Sequence, residues 1–320
     1  MKWMKRNKVV DKEIAAKHRS QTIKLIKRNW LLYVFLLPAL LYVILFEYAP
    51  MYGLQIAFKN YSFSKGFSGS EWVGLNWFET FFNTPRFWDI LKNTLRVSVY
   101  SMVVSFPFPI ILALCMNNAT WMKWKRFAQT ITYMPHFIST VVLVGMMSVM
   151  FSPTSGIINT ILSWFGGSGT TYFMGKAEYF PHMYVWSGVW QGMGWGSIIY
   201  MAALAGVDPS LHEAAMIDGA NKFKRVLHID LPTIMPTVAI MLIMNCGKLL
   251  NVGYEKVYLM QNSLNLTYSE VISTYVYKMG LGSQRYSYST AIGLFNNVVS
   301  FLFLIIVNKI VDKLTGSGLW

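Results

Sequence analysis

The sequence predicts an all-α integral membrane protein with six transmembrane helices. Three observations lead there. Of the 320 residues, 54% are hydrophobic, 16% aromatic and 13% charged, whereas a soluble domain carries about 25% charged residues. Apolar runs recur at the length of about 20 residues that crosses a bilayer. The short polar segments between them share out their lysines and arginines unevenly, as expected of a chain threaded back and forth through a membrane.

Residues 1–29 form a basic tail with ten Lys/Arg. Two readings stand for it: a solvated tail that fixes orientation, or an amphipathic helix on anionic headgroups. No small-residue cleavage site follows it, so the first apolar run is expected to remain as an anchor. The spans fall at 30–49, 91–116, 127–151, 184–204, 233–253 and 287–311. Residues 30–90 comprise the first span and an outer loop, 91–313 a core of five spans, and 314–320 a short tail. The first outer loop mixes turn residues with aromatics that suit a membrane interface. The stretch GIINTILSWFGG at 156–167 is too short to span and reads as a surface helix. Cys115 and Cys246 both fall in apolar spans and read as small buried packing residues.

Charge sets the orientation. With the N-terminus inside, the inner segments hold 18 Lys/Arg and the longer outer segments seven, with Lys92, Arg96 and Lys248 in or at the edge of spans. Both termini are therefore expected in the cytoplasm. The net charge of +14 follows from this bias and gives no reason to expect nucleic acid as a partner. There is no GxxxxGK[ST] phosphate loop; GGSGTT at 166–171 lacks the lysine and reads as a loop. His18, His136, His182, His212 and His228 are scattered, with no HExxH or GxSxG pattern. No catalytic residue and no metal site is expected.

Polar residues inside the spans are candidates for a solute path. Trp190, Gln191 and Trp195, with Trp186, lie in the fourth span. They suit the faces and hydroxyls of sugar rings, and they equally suit an interfacial aromatic cluster. Asn245, Lys248 and Asn251 recur at three-residue steps in the fifth span. Lys248 either meets a watery path or snorkels to the outer headgroups. Asn296 and Asn297 of the sixth span would bond neighbouring helices or the path. Gly188, Gly192 and Gly196 form one smooth helix face, read first as a packing face.

The polar insert at 207–232 carries the most information. Asp208 is placed to cap a helix whose first residue is Pro209. Leu211, Ala214, Ala215 and Met216 follow, and Gly219 turns the chain with a positive φ. A second helical piece runs to Leu231, and Pro232 is expected to end it and open the fifth span. The result is a helix–turn–helix elbow on the cytoplasmic side, rimmed by Glu213, Asp218, Lys222, Lys224, Arg225 and Asp230. Residue chemistry alone leaves two readings, an ordinary capped loop and a docking elbow.

This insert resembles the EAA loop of ATP-binding-cassette importer permeases, roughly EAAxxDGAxxxxxFxxIxLP. Glu213, Ala214, Ala215, Asp218, Gly219, Ala220, Ile229, Leu231 and Pro232 fit it, and Val226 stands where Phe is common. Further likeness lies in WVGLNWF at 72–78, FWDILKNTL at 87–95 and TYMPHFIST at 132–140, in VISTYVYKMGL at 271–281 and in YSYSTAIGLFN at 286–296. The stretch at 31–63 is similar to the Gram-positive branch that imports complex oligosaccharides. The resemblance implies a type I importer permease fold in a cell membrane, with the elbow as coupling helix in a groove of a cytoplasmic ATPase. Glu213 would make charge contacts there and Gly219 would permit the turn; Lys222, Lys224 and Arg225 are candidates to pair with partner acids. It further implies a second homologous permease, giving a heterodimer, two ATPase subunits and an extracellular substrate-binding lipoprotein that hands over a carbohydrate. ATP and magnesium would sit on the partner ATPases, with no cofactor on this chain. An amino-acid or peptide permease of the same superfamily, and a non-transporting sensor or scaffold, remain the alternatives.

Overall fold

The computed structural model describes residues 24–316, 318 and 319. Most of the basic tail, and with it the choice between solvated tail and amphipathic helix, lies outside the described residues. The chain divides into two compact units, residues 1–55 and 56–320. In the first, α1 (Trp30–Val43) runs into a π turn at Ile44–Tyr48. Its leucine-rich sequence favours helix, and every residue from 30 to 50 is exposed. An apolar helix with no polar face suits a lipid surrounding.

The second unit opens with a two-stranded ribbon, β1 (Lys59–Asn60) antiparallel to β2 (Glu71–Trp72). Helix α2 (Asn76–Phe82) leads to α3 (Phe87–Ser105) and α4 (Pro107–Asn117). Together α3 and α4 make a 31-residue span, Phe87–Asn117. Pro107 is tolerated at its break because the first position of a helical segment needs no N–H partner.

The third span is not the single helix expected over 127–151. Helix α5 (Met122–Tyr133) passes through a 3-10 turn, Met134–Phe137, and meets α6 (Thr140–Met150) at an angle of 100°. Ile138 is extended, and the Ser139 hydroxyl accepts from Val142 N at 3.3 Å to start α6 afresh. Pro135 and the new N-cap together explain the break. The expected surface helix is present as α7 (Ile157–Trp164). Buried Asn159 ties its loop down, donating to Ser152 O and Thr171 O at 2.8 and 2.9 Å.

Helix α8 (Phe180–Leu204) has 25 residues and reaches about 37 Å. Four described helices are long and apolar enough to cross a membrane, or five with the bent pair counted as one span; α8 falls outside that set. Its Gly, Trp, His and Gln residues lower its hydropathy. The count of six is thus not fixed by length and composition alone.

The elbow follows as α9 (Pro209–Ile217) and α10 (Lys222–Arg225). Here Pro232 does not end the second helix. Residues Lys222–Cys246 run on as one helix, through a π turn at Val226–Asp230 into α11 (Leu231–Cys246). The π turn bonds Leu231 N to Val226 O. That one-residue expansion makes room for a proline ring near the start of α11. Helix α11 stops at Cys246 rather than at 253. The helices that follow include α12 (Tyr254–Met260), α13 (Ile272–Tyr277) and α14 (Tyr286–Thr315), the last closed by Gly316 with φ 63°. Of the two cysteines, Cys246 is buried but Cys115 is exposed on α4, contrary to expectation.

Buried clusters hold this unit at both ends. At one end Phe81, Phe87 and Ile90 pack with Ile272, Tyr275, Tyr288 and Ile292. There Asn93 Nδ2 donates to Thr267 O at 2.9 Å, and Thr94 Oγ1 accepts from Ile272 N at 2.9 Å. At the elbow end Ala113, Tyr200, Leu204 and Ile234 join α4, α8 and α11.

Candidate functional site

The elbow is built by local chemistry. The Asp208 carboxylate accepts from Ser210 N at 2.9 Å and caps α9, with Pro209 in the first position. That backbone bond, helped by the Ser210 hydroxyl, holds the carboxyl below its usual range. Gly219 has φ +76°. Around it Gly219 N donates to Met216 O at 3.1 Å and Ala220 N to Ala215 O at 2.8 Å. This double closure is the Schellman pattern, which needs a left-handed residue. Asn221 then caps α10, accepting from Lys224 N at 2.9 Å.

The elbow faces outward. Glu213, Ala214, Asp218, Gly219 and Lys222 are exposed; Ala215, Ala220 and Arg225 are half-buried. Two apolar side chains that the sequence reading passed over project from the same stretch, Ile217 at 87% exposure and Phe223 at 73%. This exposed hydrophobic pair is flanked by small and charged residues. Ile217 and Phe223 fill open positions of the EAA pattern, so only their lack of neighbours reveals them.

Between α3, α4, α8 and α11 lies a cavity of about 350 Å³. Ser98, Ser101 and Ser105 line it from α3, and Asn245, Lys248 and Asn251 line it opposite. Lys248 is the only charged residue on its wall among the described residues, and no ion pair to it is found there. Asn245 lies on α11 and the other two lie beyond its end. They still share a side because the chain tightens into three-residue turns, with Lys248 N bonded to Asn245 O at 3.1 Å and Asn251 N to Lys248 O at 2.9 Å. Asn296 of α14 joins from behind, donating to Asn251 Oδ1 at 3.1 Å. The hydroxyl of Ser98 is buried without a partner.

Trp190, Gln191 and Trp195 are not brought to this cavity. The Gln191 amide donates to Ile138 O at 2.8 Å, at the break before α6. Trp195 stacks on His136 with centroids 4.4 Å apart, and Trp190 is exposed. The glycine row is likewise divided. A Cβ on Gly196 would lie 3.1 Å from Pro109, one on Gly188 3.5 Å from Lys256 Nζ, and one on Gly192 would meet nothing within 4 Å. The tightest approach is at Gly194 instead, where a Cβ would stand 2.0 Å from Thr132 O of α5.

Tyr184, also on the cavity wall, anchors the segment after α11. Its hydroxyl accepts from Gly253 N at 3.2 Å. Its carbonyl accepts from Lys256 Nζ at 3.0 Å, and that ammonium lies 4.8 Å from the Tyr184 ring centre. Burial lowers Lys256 to about 8. Ser98, Tyr184 and Lys256 were not singled out from sequence. Serines in an apolar helix usually bond their own backbone, and a lysine in a loop reads as solvated.

A bundle of long apolar helices around a largely apolar cavity that carries serines, asparagines and one lysine, with an exposed capped elbow between two of the helices, is an arrangement suited to a membrane transport component. The family of binding-protein-dependent transport system inner membrane components matches residues 105–316, and the chain belongs to it. Over 295 residues it is 43% identical to Protein LplB of Bacillus subtilis, covering 92% of each chain. It is 39% identical over 304 residues to the polygalacturonan/rhamnogalacturonan transport system permease protein YteP of the same organism, covering 95% of this chain and 94% of that one. A crystal structure of a bacterial alginate ABC transporter, in complex with an alginate pentasaccharide-bound periplasmic protein, contains a similar chain. That chain superposes with a TM-score of 0.85 at 38% identity, over 92% of this chain and 99% of the other.

Proposed function

We propose that this chain is the permease subunit of an ATP-driven carbohydrate importer, that the cavity between α3, α8 and α11 is its solute path, and that residues 207–232 couple it to an ATPase. The observation that carries this reading is the cavity wall. Ser98, Ser101 and Ser105 line the cavity on one side and Asn245 and Asn251 on the other, with Lys248 as the lone charge among the lining residues. A sugar carries hydroxyls on most of its ring carbons, and serine and asparagine side chains have the donors and acceptors to bond them. The relatives support the class of cargo, since YteP is named for polygalacturonan and rhamnogalacturonan and the structural relative for alginate.

Lys248 favours an anionic sugar. A cation without a counter-ion on the cavity wall attracts a carboxylate, and alginate is an acidic polysaccharide. Trp190, Gln191 and Trp195 belong elsewhere on this reading: α8 is the fourth span, which brings the count to six, and its exposed aromatic face suits a second homologous permease or lipid. Both termini are cytoplasmic, as the charge bias requires. Glu213 to Gly219, with Ile217 and Phe223, enter a groove on one of two ATPase subunits, and Lys222 and Arg225 meet acids there. ATP and magnesium act on those subunits. A binding lipoprotein delivers the cargo from outside.

The test is reconstitution. The chain with its second permease, both ATPases and the binding protein is placed in proteoliposomes, and ATP-dependent uptake of labelled oligogalacturonide is measured beside neutral oligosaccharides, amino acids and peptides. Uptake of a sugar supports the reading. Uptake of amino acids or peptides alone, or ATPase binding with no uptake at all, overturns it.

A further inference from the structure

A fully buried carboxylate sits at the root of the elbow, at a position the EAA pattern leaves open. Asp230 has no exposed surface. Its Oδ1 lies 3.2 Å from Nε2 of His212 and 3.5 Å from Nδ2 of Asn117, and its Oδ2 accepts from Nδ2 of Asn118 at 3.0 Å. The donors come from two other elements, α9 of the elbow and the end of α4. Asp230 itself sits in the π turn that enters α11. One side chain thus joins the elbow, the second span and the fifth span.

The donors are held for this role. Asn118 Nδ2 also donates to Leu114 O at 3.1 Å, which fixes the amide with its nitrogen toward Asp230. His212 precedes Glu213 on α9 and is itself half-buried. Helix α9 buries no side chain fully, so apolar packing alone does not fasten it. Burying a carboxylate is strongly unfavourable unless donors surround it. Displacing α9 or α4 would strip donors from Asp230, so the two tend to move together.

We propose that Asp230 is a positioning residue that rivets the elbow to the end of the second span, so that a push on α9 carries α4 and α11 as one piece. The inference rests on the coupling role proposed above. Without the rivet, the ATPase still binds the exposed face of the elbow, and its stroke is spent on bending the elbow. The variants are Asp230→Asn, which replaces one of the two acceptor oxygens by an N–H donor among three donors, and His212→Ala, which removes one donor from a half-buried site.

Two measurements decide it. In the intact permease in nanodiscs, amide exchange over 209–217 is expected to speed up about fivefold in both variants, with α14 unchanged. In the reconstituted complex, cargo imported per ATP hydrolysed is expected to fall about fivefold or more, while assembly and hydrolysis stay within about twofold. The double variant is expected to be no worse than Asp230→Asn alone, because both act on one network. Unchanged exchange overturns the rivet. So does a ratio that holds while the amount of complex falls, which is what a merely structural residue gives. If Asp230→Asn does not assemble, His212→Ala decides by the same readings. If the wild-type complex imports no cargo, the proposed function fails, and amide exchange alone decides the rivet.

Discussion

Gly219 isolates one physical cause better than any other residue of the elbow. Its φ is +76°, and a Cβ added to it would meet nothing within 4 Å. A substitution there is therefore strained by backbone conformation and not by collision. An alanine forced into the left-handed region costs about 1–2 kcal/mol. At 1.4 kcal/mol per tenfold, that lowers the ratio of formed to unformed elbow by about 5–30-fold when the turn is the weakest part of the element. Valine is worse, because a β-branched residue at positive φ is a genuine outlier. Asparagine has a Cβ of its own yet tolerates this region, so it controls for contact with the ATPase. The assay is equilibrium binding of the purified ATPase to the permease in nanodiscs for Gly, Asn, Ala and Val at 219. Asn is expected within about twofold of Gly, Ala weaker by about fivefold and Val by about 30-fold. If Asn binds as poorly as Ala, or Val as well as Gly, backbone strain is not what the glycine relieves.

Other outcomes follow from single contacts. Lys248→Met is expected to lower uptake of oligogalacturonide by about tenfold and of a neutral oligosaccharide far less; equal losses would remove charge from the account of selectivity. Lys256→Met is expected to stabilise the permease against heat. Burial brings this lysine from 10.5 to about 8, which disfavours the folded state by about 3 kcal/mol below pH 8. The lost hydrogen bond returns about 1 kcal/mol of that. Between pH 8 and 10.5 the unfolded chain holds the proton that the folded one has released, so the wild type gains stability and the advantage of Met fades; a gain independent of pH would refute this. Gly194→Ala puts a Cβ 2.0 Å from the Thr132 carbonyl. Neither backbone yields easily, so a loss of about 1–3 kcal/mol or more is expected in thermal melts, with Gly192→Ala near neutral as the control.

The sequence by itself determined the features whose physics is local. Composition and apolar run length established a helical membrane protein, because a bilayer leaves the backbone few ways to satisfy itself. The elbow was legible almost residue by residue: a cap at Asp208, a proline at the first helical position and a left-handed Gly219 all act within four residues of themselves. The three-residue spacing of Asn245, Lys248 and Asn251 also predicted a shared side, although turns rather than a helix deliver it. Tertiary structure decided what depends on distant neighbours. The break at 138–139 gave Gln191 a partner that its sequence does not announce, the Ile138 carbonyl. Packing of α3 against α8 and α11 made Ser98, Ser101 and Ser105 a cavity wall, and nothing in their apolar surroundings announces that. Asp230 meets its amide partners more than a hundred residues away. A lone acid in a polar insert reads as solvated until the fold closes over it, because burial belongs to the assembly of helices and not to any one of them.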